Sequence, residues 1–339
     1  MPIVPAICPN CGGQLEVDNS HDAAVCKYCG TPFIVEKAIN NYTTVNNITA
    51  ETVNIINQKK EFEIWEGVLE KYKGDDMNVV VPDGVTEIGE KAFFRQNIKR
   101  VILPDGVKKI GNDAFYECKN LVEIKLPESL TEIGLEAFDG CKNLTEINLP
   151  NGITEIGSGA FDGCRSLKSV KIPERMTVIG GRVFSGCGFE KITIPDGVTR
   201  ILYSAFSFCY LKEINLPKSL VAIGDRAFYQ SGLTSIVIPE GVTDIGEEAF
   251  DNCSSLTEVT VPKSVQNIGR HAFGVTYSDM SFEYNEKLKN ITLPVDYSPA
   301  AKFFKTQLHM MKRCSYCGGE FTGGLFKKTC VRCGRRKDY

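Results

Sequence analysis

Eight cysteines near the two ends of the chain are spaced for binding metal. They form four C-x2-C pairs, two within residues 8–29 and two within residues 314–333, and a glycine follows each pair. One such pair presents two thiolates from a tight turn, so two pairs complete a closed tetrahedral site, which is structural rather than catalytic. The alternatives are iron as the metal or thiol pairs without metal. We predict two zinc ions (Zn2+), bound by Cys8, Cys11, Cys26 and Cys29 and by Cys314, Cys317, Cys330 and Cys333.

A second candidate chemistry is phosphate binding near the C-terminal end. Residues 300–339 carry ten basic and two acidic side chains, although the net charge of the chain is -3. A clustered basic patch is typical of nucleic-acid binding. Basic residues also balance the negative charge of a tetrathiolate site, and no aromatic side chains alternate with them for base stacking. The candidate nucleic-acid-binding residues are Lys327, Lys328, Arg332, Arg335, Arg336 and Lys337.

The sequence contains little that could support catalysis. Its three histidines, His21, His271 and His309, recur near no candidate nucleophile or paired acid, and no phosphate-cradling glycine loop is present. We therefore expect a protein that is not an enzyme and has no small-molecule substrate.

The cysteine content indicates a reducing compartment. The first residues, MPIVPAICPNCGG, lack the basic and apolar regions of a secretory signal, and no apolar run approaches the length of a membrane span. Fourteen cysteines in such a chain favour free thiols and metal sites over disulfides. We expect a cytoplasmic protein.

The elements that carry these ends are copies of one unit, P-x-x-[VL]-T-x-I-G-x-x-A-F-x-x-C-x-x-L-x-x-I-x-[LIV]. Successive copies are 22 or 23 residues long, except the last, which is 32 residues long. A fixed period of this length predicts a solenoid, in which each coil buries its apolar side against its neighbours. The copies begin at prolines 82, 104, 127, 150, 173, 195, 217, 239 and 262, and proline 294 ends the last copy.

Each fixed position of the unit has a predicted role. The phenylalanine is present in all nine copies and predicts a continuous stack of rings. The glycine after isoleucine predicts a positive φ or a close approach between coils. The segment L-x-x-I-x-L predicts a short strand that the next proline ends. We interpret the cysteines three residues after the phenylalanine as a buried structural ladder rather than a metal or redox array; they are Cys118, Cys141, Cys164, Cys187, Cys209 and Cys253.

This pattern resembles the leucine-rich repeat proteins of the bacterial surface-antigen type over residues 64–294. The resemblance implies a curved right-handed solenoid with a parallel sheet on its concave side, and binding to other macromolecules rather than catalysis. Members of this type are often secreted, from which the present chain departs. The two cysteine-rich ends resemble zinc ribbons, which serve DNA, RNA and protein contacts alike.

We predict six segments along the chain. Tryptophan 65 is expected to pack inside the N-terminal cap, and the insertion after Phe273 is either a tolerated excursion or a binding feature. The segments are a zinc ribbon (1–38), an Asn/Thr-rich linker or extended segment (39–61), a solenoid cap (62–81), nine leucine-rich repeats (82–294), a cap helix (295–312) and a basic zinc ribbon (313–339).

Two functions fit this organisation. The first, which we favour because the repeats dominate the chain, is a protein–protein interaction scaffold or adaptor with an unknown protein partner. The second is a nucleic-acid-associated protein that docks DNA or RNA phosphates through its C-terminal ribbon. The predicted interaction surface is the row of outward strand positions, which includes Arg100, Glu123, Lys191, Glu213 and Glu258 and contains no aromatic residue.

Overall fold

The computed structural model describes residues 61–276 without a gap. The chain divides into two compact units, residues 1–63 and residues 64–339. The predicted linker before residue 61 and the predicted cap helix over 295–312 lie outside the described residues. Shorter described segments are 3–7, 14–18, 23–26, 32–34, 282–284, 290–292, 321–322 and 329–330.

The first unit contains two antiparallel strand pairs. Strand β1 pairs with β2 from Ile3 opposite Asp18 to Ile7 opposite Gln14. Strand β3 pairs with β4 from Ala23 opposite Ile34 to Val25 opposite Pro32. The bounds are β1 (Ile3–Ile7), β2 (Gln14–Asp18), β3 (Ala23–Val25) and β4 (Pro32–Ile34).

The repeat region begins with β5 (Phe62–Trp65) and β6 (Val68–Tyr72). Leu69 and Tyr72 of β6 are fully buried, so this segment covers the apolar end of the first repeat. The prediction that Trp65 packs inside this cap is wrong, because its side chain is 69% exposed. Burial in β5 is limited to its first residue, and the rest of the strand faces solvent.

Nine coils follow, numbered here 1 to 9 from the prolines at 82, 104, 127, 150, 173, 195, 217, 239 and 262. A first row of two-residue strands comes from the T-x-I-G segment of each coil, and neighbours pair in parallel with the isoleucines in register. This row was not predicted. Its strands are β8 (Glu87–Ile88), β10 (Lys109–Ile110), β12 (Glu132–Ile133), β13 (Glu155–Ile156), β14 (Val178–Ile179), β16 (Arg200–Ile201), β18 (Ala222–Ile223), β20 (Asp244–Ile245) and β22 (Asn267–Ile268).

A second row of parallel strands comes from the L-x-x-I-x-L segments and confirms the strand prediction in seven of the nine coils. In coil 3 this segment makes only an isolated bridge between Glu146 and Glu123, and in coil 4 it forms no strand, so the prediction is wrong there. The central residue of most of these strands is buried while its two neighbours are exposed, because side chains alternate between the faces of a strand. The row consists of β7 (Asn78–Val80), β9 (Arg100–Ile102), β11 (Glu123–Lys125), β15 (Lys191–Thr193), β17 (Glu213–Asn215), β19 (Ser235–Val237), β21 (Glu258–Thr260) and β25 (Asn290–Thr292).

The turns around each repeat phenylalanine form a third ladder, here called the turn ladder. In coils 1–8 the phenylalanine N–H donates to the next coil, as from Phe138 to the Ala160 carbonyl at 2.8 Å. The N–H groups two residues before and two residues after it do the same. These flanking residues have positive φ in all eight coils, for example 51° at Glu136 and 72° at Gly140. The inter-coil hydrogen bonds offset the cost of this left-handed backbone.

The repeat phenylalanines stack as predicted. Neighbouring ring centroids lie 4.8 to 5.7 Å apart and the rings are nearly parallel. Tyr72 extends the stack by one ring, with its centroid 5.2 Å from that of Phe93. The glycine after isoleucine marks a close approach, since a Cβ on Gly157 would lie 2.4 Å from the Leu135 nitrogen. The alternative of a positive φ at this glycine is not observed at Gly157 or its equivalents.

The first strand row is interrupted between coils 4 and 5, and the second row has no strand in coils 3 and 4 and is divided again between β17 and β19. Strands β13 and β14 belong to different sheets, and residues 169–171 form no strand. Gly157 donates its N–H to the Ile133 carbonyl at 2.8 Å, whereas within residues 61–276 Gly180 makes no equivalent bond to coil 4. The turn ladder continues here, with the Phe161 N–H 2.9 Å from the Val183 carbonyl.

The insertion in coil 9 carries a pair of strands. Strand β23 (Gly274–Thr276) pairs antiparallel with β24 (Phe282–Tyr284). Strand β25 then rejoins the second row beside β21. Near the C-terminal end, β26 (Phe321–Thr322) pairs antiparallel with β27 (Thr329–Cys330).

Candidate functional site

Most of the predicted metal and phosphate ligands lie outside the described residues. Cys26 directly follows β3 and is buried. Cys330 is the last residue of β27. The surroundings of Cys8, Cys11 and Cys29 are not described, and neither are those of Cys314, Cys317, Cys333 and the six basic residues of the C-terminal segment.

The six repeat cysteines form the buried ladder that the sequence predicts. Each thiol donates to the carbonyl of the repeat phenylalanine one coil earlier, as from Cys141 to Phe115 at 3.2 Å. The other five Sγ–O distances are between 2.9 and 3.2 Å. In coil 1 the amide of Gln96 takes the same role and donates to the Tyr72 carbonyl at 3.1 Å.

Burial keeps these thiols protonated. It raises the pKa of Cys118 and of Cys209 to about 12 and that of Cys253 to about 11. Because the thiolate is the nucleophile and the metal ligand, these side chains are unreactive near neutral pH. No group of three or more metal-binding side chains occurs in the part of the chain that the structure describes.

The second strand row presents the predicted interaction surface, here called the strand face. Its outward side chains are exposed, and two pairs of neighbouring coils place opposite charges beside each other. Arg100 Nε lies 3.3 Å from a Glu123 carboxylate oxygen, and Lys191 Nζ lies 3.4 Å from Glu213. Exposed ion pairs of this kind contribute little to stability, so they remain available for exchange with a partner's charges.

An acidic cluster lies on the turn ladder in coils 3 and 4. Burial, with the neighbouring carboxylates of Asp162 and Glu136, raises the pKa of Asp139 to about 6. Arg182 opposes this rise and donates from Nη2 to Asp162 at 2.6 Å. The cluster is therefore partly neutralised from within the fold.

Exposed aromatic side chains beside the turn ladder were not predicted from the sequence. Phe208 and Tyr210 are 52% and 68% exposed and line a groove that crosses coils 4 to 8. The sequence feature that could have indicated this groove is the repeat length, which falls from 23 to 22 residues in coils 5, 6 and 7.

A model of the BspA type leucine rich repeat region matches residues 72–189 and 177–293, which together are more than half of the chain. The chain belongs to the BspA-type leucine-rich repeat family. The match begins at Tyr72, the last residue of β6, and spans the nine coils with the coil-9 insertion. This confirms the resemblance that the repeat unit indicates.

Solved structures of bacterial proteins are similar to this BspA-type chain. A leucine rich cell surface protein from Faecalibacterium prausnitzii is 28% identical, over 68% of this chain and 72% of that one, with a TM-score of 0.50. A leucine-rich repeat protein from Treponema pallidum is 30% identical, over 58% of this chain and 88% of that one, with a TM-score of 0.45. No curated protein matches the chain.

Among the described residues of this BspA-type chain, no helix combines the length and the apolar character needed to cross a bilayer.

Proposed function

We propose that this BspA-type protein is a non-catalytic scaffold or adaptor that binds another protein through its repeats. The observation that best supports this proposal is the strand face, where identical positions of successive coils present exposed side chains in register. An extended surface of this kind is what solenoid proteins use for binding. Leucine-rich repeat proteins typically bind proteins rather than catalyse reactions.

Affinity capture from the source cells tests this role. We expect a specific partner whose binding is weakened by Glu123→Lys on the strand face and retained by Glu240→Lys, an exposed carboxylate at the corner of coil 8. Both changes reverse one exposed charge, and Glu123→Lys also removes the exposed ion pair with Arg100, which contributes little to stability. Absence of any specific partner would contradict the proposed function.

We infer that each end of the chain is organised around a structural zinc ion. In the first unit, Cys8 directly follows β1 and Cys26 directly follows β3, so each C-x2-C pair begins where the first strand of an antiparallel pair ends. Two turns at equivalent places in two hairpins suit a tetrathiolate site. Iron in place of zinc is the alternative.

A cytoplasmic location is part of the same proposal. The six buried repeat thiols each donate to a carbonyl and form no disulfide. Reduced cysteines are usual in the cytoplasm and rare in oxidising compartments. Fractionation of the source cells with antibodies against the repeats tests the location, and detection at the cell surface would contradict it.

Nucleic-acid binding is a second candidate function, supported by the ten basic residues against two acidic residues in 300–339. It predicts binding to DNA or RNA that weakens steeply between low and high salt, because phosphate contacts release counterions. Deletion of residues 314–339 should abolish that binding. Salt-independent binding, or no binding, would reject this candidate.

A further inference from the structure

Coils 5, 6 and 7 are each one residue shorter than the coils on either side of them. In coil 4 two residues separate Cys164 from the buried Leu167, whereas in coil 5 one residue separates Cys187 from the buried Phe189. An open groove of about 1320 Å³, here called the turn groove, runs along this line. Its lining comes from coils 4 to 8, which matches the three short coils and one longer coil at each end.

The ends and the base of the turn groove are polar. Arg165 of coil 4 and the Ser254–Ser255 pair of coil 8 stand at its ends, and these are positions where the longer coils carry the additional residue. Ser185 and Ser207 are buried lining residues, and the Ser207 hydroxyl donates to that of Ser185 at 3.2 Å. The groove is therefore lined by groups that can hydrogen-bond a polar ligand.

Two exposed aromatic side chains stand in the middle of the turn groove. Phe208 is 52% exposed and has a φ of 57°, and Tyr210 is 68% exposed. The left-handed backbone of Phe208 is shared by the equivalent residue of coils 1 to 8, and its N–H donates to the Tyr229 carbonyl at 2.7 Å. Its ring contacts the Tyr229 ring edge-on, with centroids 5.4 Å apart. The exposed half of the ring, beside the exposed Tyr210, is therefore apolar surface that a partner can cover.

The charges of the turn groove leave one end positive. Lys212 lies 2.9 Å from Glu190, and Arg182 lies 2.6 Å from Asp162, so these four lining residues neutralise each other. Arg165 is exposed and has no ion pair among the described residues. The coil-4 end of the groove therefore presents an unneutralised guanidinium group.

We propose that the turn groove binds a segment of another protein in extended conformation. An acidic side chain of that segment pairs with Arg165, and an aromatic or large apolar side chain packs on Phe208 and Tyr210. Tyrosine and arginine are enriched among the residues that dominate interface affinity. With neighbouring coils about 4.8 Å apart, the five coils of the groove span roughly 19 Å, which is the length of about six extended residues. Arg165 in coil 4 and Tyr210 in coil 6 are two coil spacings apart, which is the length of about three extended residues.

The proposal deepens the proposed interaction function and rests on it. The test is selection of random heptapeptides displayed on phage against the full-length, zinc-loaded protein, followed by affinity measurement with the selected synthetic peptides. We expect enriched peptides to carry an Asp or Glu roughly two to four positions from an aromatic or large apolar residue.

Four variants locate the binding. Tyr210→Ala and Arg165→Glu should each weaken binding about tenfold or more, and a peptide with lysine in place of its acidic residue should recover affinity for Arg165→Glu. Phe208→Asn should also weaken binding while leaving the fold at least as stable, because asparagine tolerates left-handed backbone. The matched control Arg175→Glu reverses an exposed charge of coil 5 that does not line the groove, and its binding should be unchanged.

Four results would overturn the groove proposal. The selection could enrich no peptides, or only peptides without the acidic and apolar pair. Peptide binding could survive both Tyr210→Ala and Arg165→Glu, or the protein could bind neutral oligosaccharides saturably instead of peptides. If a cellular partner is lost with Glu123→Lys but retained by Tyr210→Ala and by Arg165→Glu, the turn-groove proposal is wrong and the proposed interaction function is still supported. Absence of any cellular partner would remove the interaction function itself.

Discussion

At the residue scale, each repeat phenylalanine joins three coils at one position. The Phe138 ring stacks on Phe115 at 5.1 Å and on Phe161 at 5.3 Å. Its N–H donates to Ala160, and its carbonyl accepts the Cys164 thiol at 3.2 Å. The ring supplies buried apolar area while the backbone supplies the register, so loss of the ring leaves a cavity between coils that hydrogen bonds still hold together.

Phe138→Ala should lower the free energy of unfolding by about 3–5 kcal/mol, the usual cost of a large cavity. Phe94→Ala is the matched control, because Phe94 is only half-buried: its ring stacks on that of Tyr116 at 5.2 Å and lies under the Arg95 guanidinium at 5.1 Å. Its expected cost is about 1 kcal/mol. Urea denaturation of both variants measures the difference. Equal losses of unfolding free energy would contradict the claim that burial in the phenylalanine stack stabilises the coils.

Asp139 provides a prediction about pH. Its pKa is raised to about 6 in the folded protein by burial and by the carboxylates of Asp162 and Glu136. Because the folded pKa lies above the unfolded value, the protonated form favours folding, and this contribution is lost as pH rises through 6. Asp139→Asn should therefore stabilise the protein at pH 7 by about 1–2 kcal/mol, after allowance for partial exposure, and change little at pH 3.5.

The matched control for that substitution is Asp162→Asn. This change removes the carboxylate that accepts the Arg182 hydrogen bond at 2.6 Å, so it should not stabilise the protein at pH 7. Thermal unfolding at both pH values separates the two variants. A gain from Asp139→Asn that is equal at pH 3.5 and pH 7 would show that its carboxyl is not the source of the effect.

At the element scale, the coils are joined by three ladders of unequal continuity. The turn ladder runs from the Tyr72 N–H, which donates to Ala92, through every coil to the Asn252 N–H, which donates to Gly274. The first strand row stops between coils 4 and 5, and the second row has no strand in coils 3 and 4. A second open space of about 710 Å³ lies beside residues 146–148 and 169–172. Within residues 61–276, the backbone hydrogen bonds between coils 4 and 5 therefore come from the turn ladder alone.

This discontinuity predicts the pattern of amide hydrogen exchange. The Gly180 amide should exchange at least about tenfold faster than those of Gly157 and Gly224, which donate to Ile133 and Ile201 at 2.8 Å. The Phe184 amide of the same coil donates to Ala205 and should remain protected. Exchange measured by NMR at single residues tests this, and equal protection at Gly180 and Gly224 would contradict it.

The elements that the sequence could predict are those fixed by identical side chains at identical places. The phenylalanine stack, the L-x-x-I-x-L strands and the cysteine ladder all follow from the period. The two-residue strands of the first row are too short to show alternation. Glu136 and Arg182 have left-handed backbone without the glycine that usually signals it. Trp65 was misplaced because an apolar sequence run does not show which of its residues face solvent.

The candidate surfaces were predictable to different degrees for the same reason. The strand face follows from alternation on either side of a buried residue such as Ile124, so its exposed positions could be named in advance. The turn groove comes from the absence of one residue in three consecutive coils. A consensus repeat unit does not show this difference in length between individual coils. Tyr210 occupies the place where coil 4 has Arg165, and only the comparison of coil lengths distinguishes them.

At the scale of the whole molecule, burial and metal binding are expected to stabilise different parts of the chain. The coils bury an isoleucine, a phenylalanine and a leucine or its equivalent in almost every repeat. The segments 1–38 and 313–339 are too short for a comparable core. Zinc binding to tetrathiolate sites in small domains contributes about 10–16 kcal/mol to folding, which is the contribution that these segments need.

Metal content and chelation test this division. The purified protein should contain close to two zinc ions per chain, and the double variant Cys8→Ser with Cys11→Ser should contain one. Cys141→Ser is the matched control: its thiol donates to the Phe115 carbonyl, so the zinc content should not change. Chelation should unfold the two ends, seen as new protease sites before residue 61 and after residue 312, while the repeats keep their circular dichroism. Iron in place of zinc, or metal-free protein whose ends resist protease, would contradict this account, because segments of that size would then need another source of folding energy.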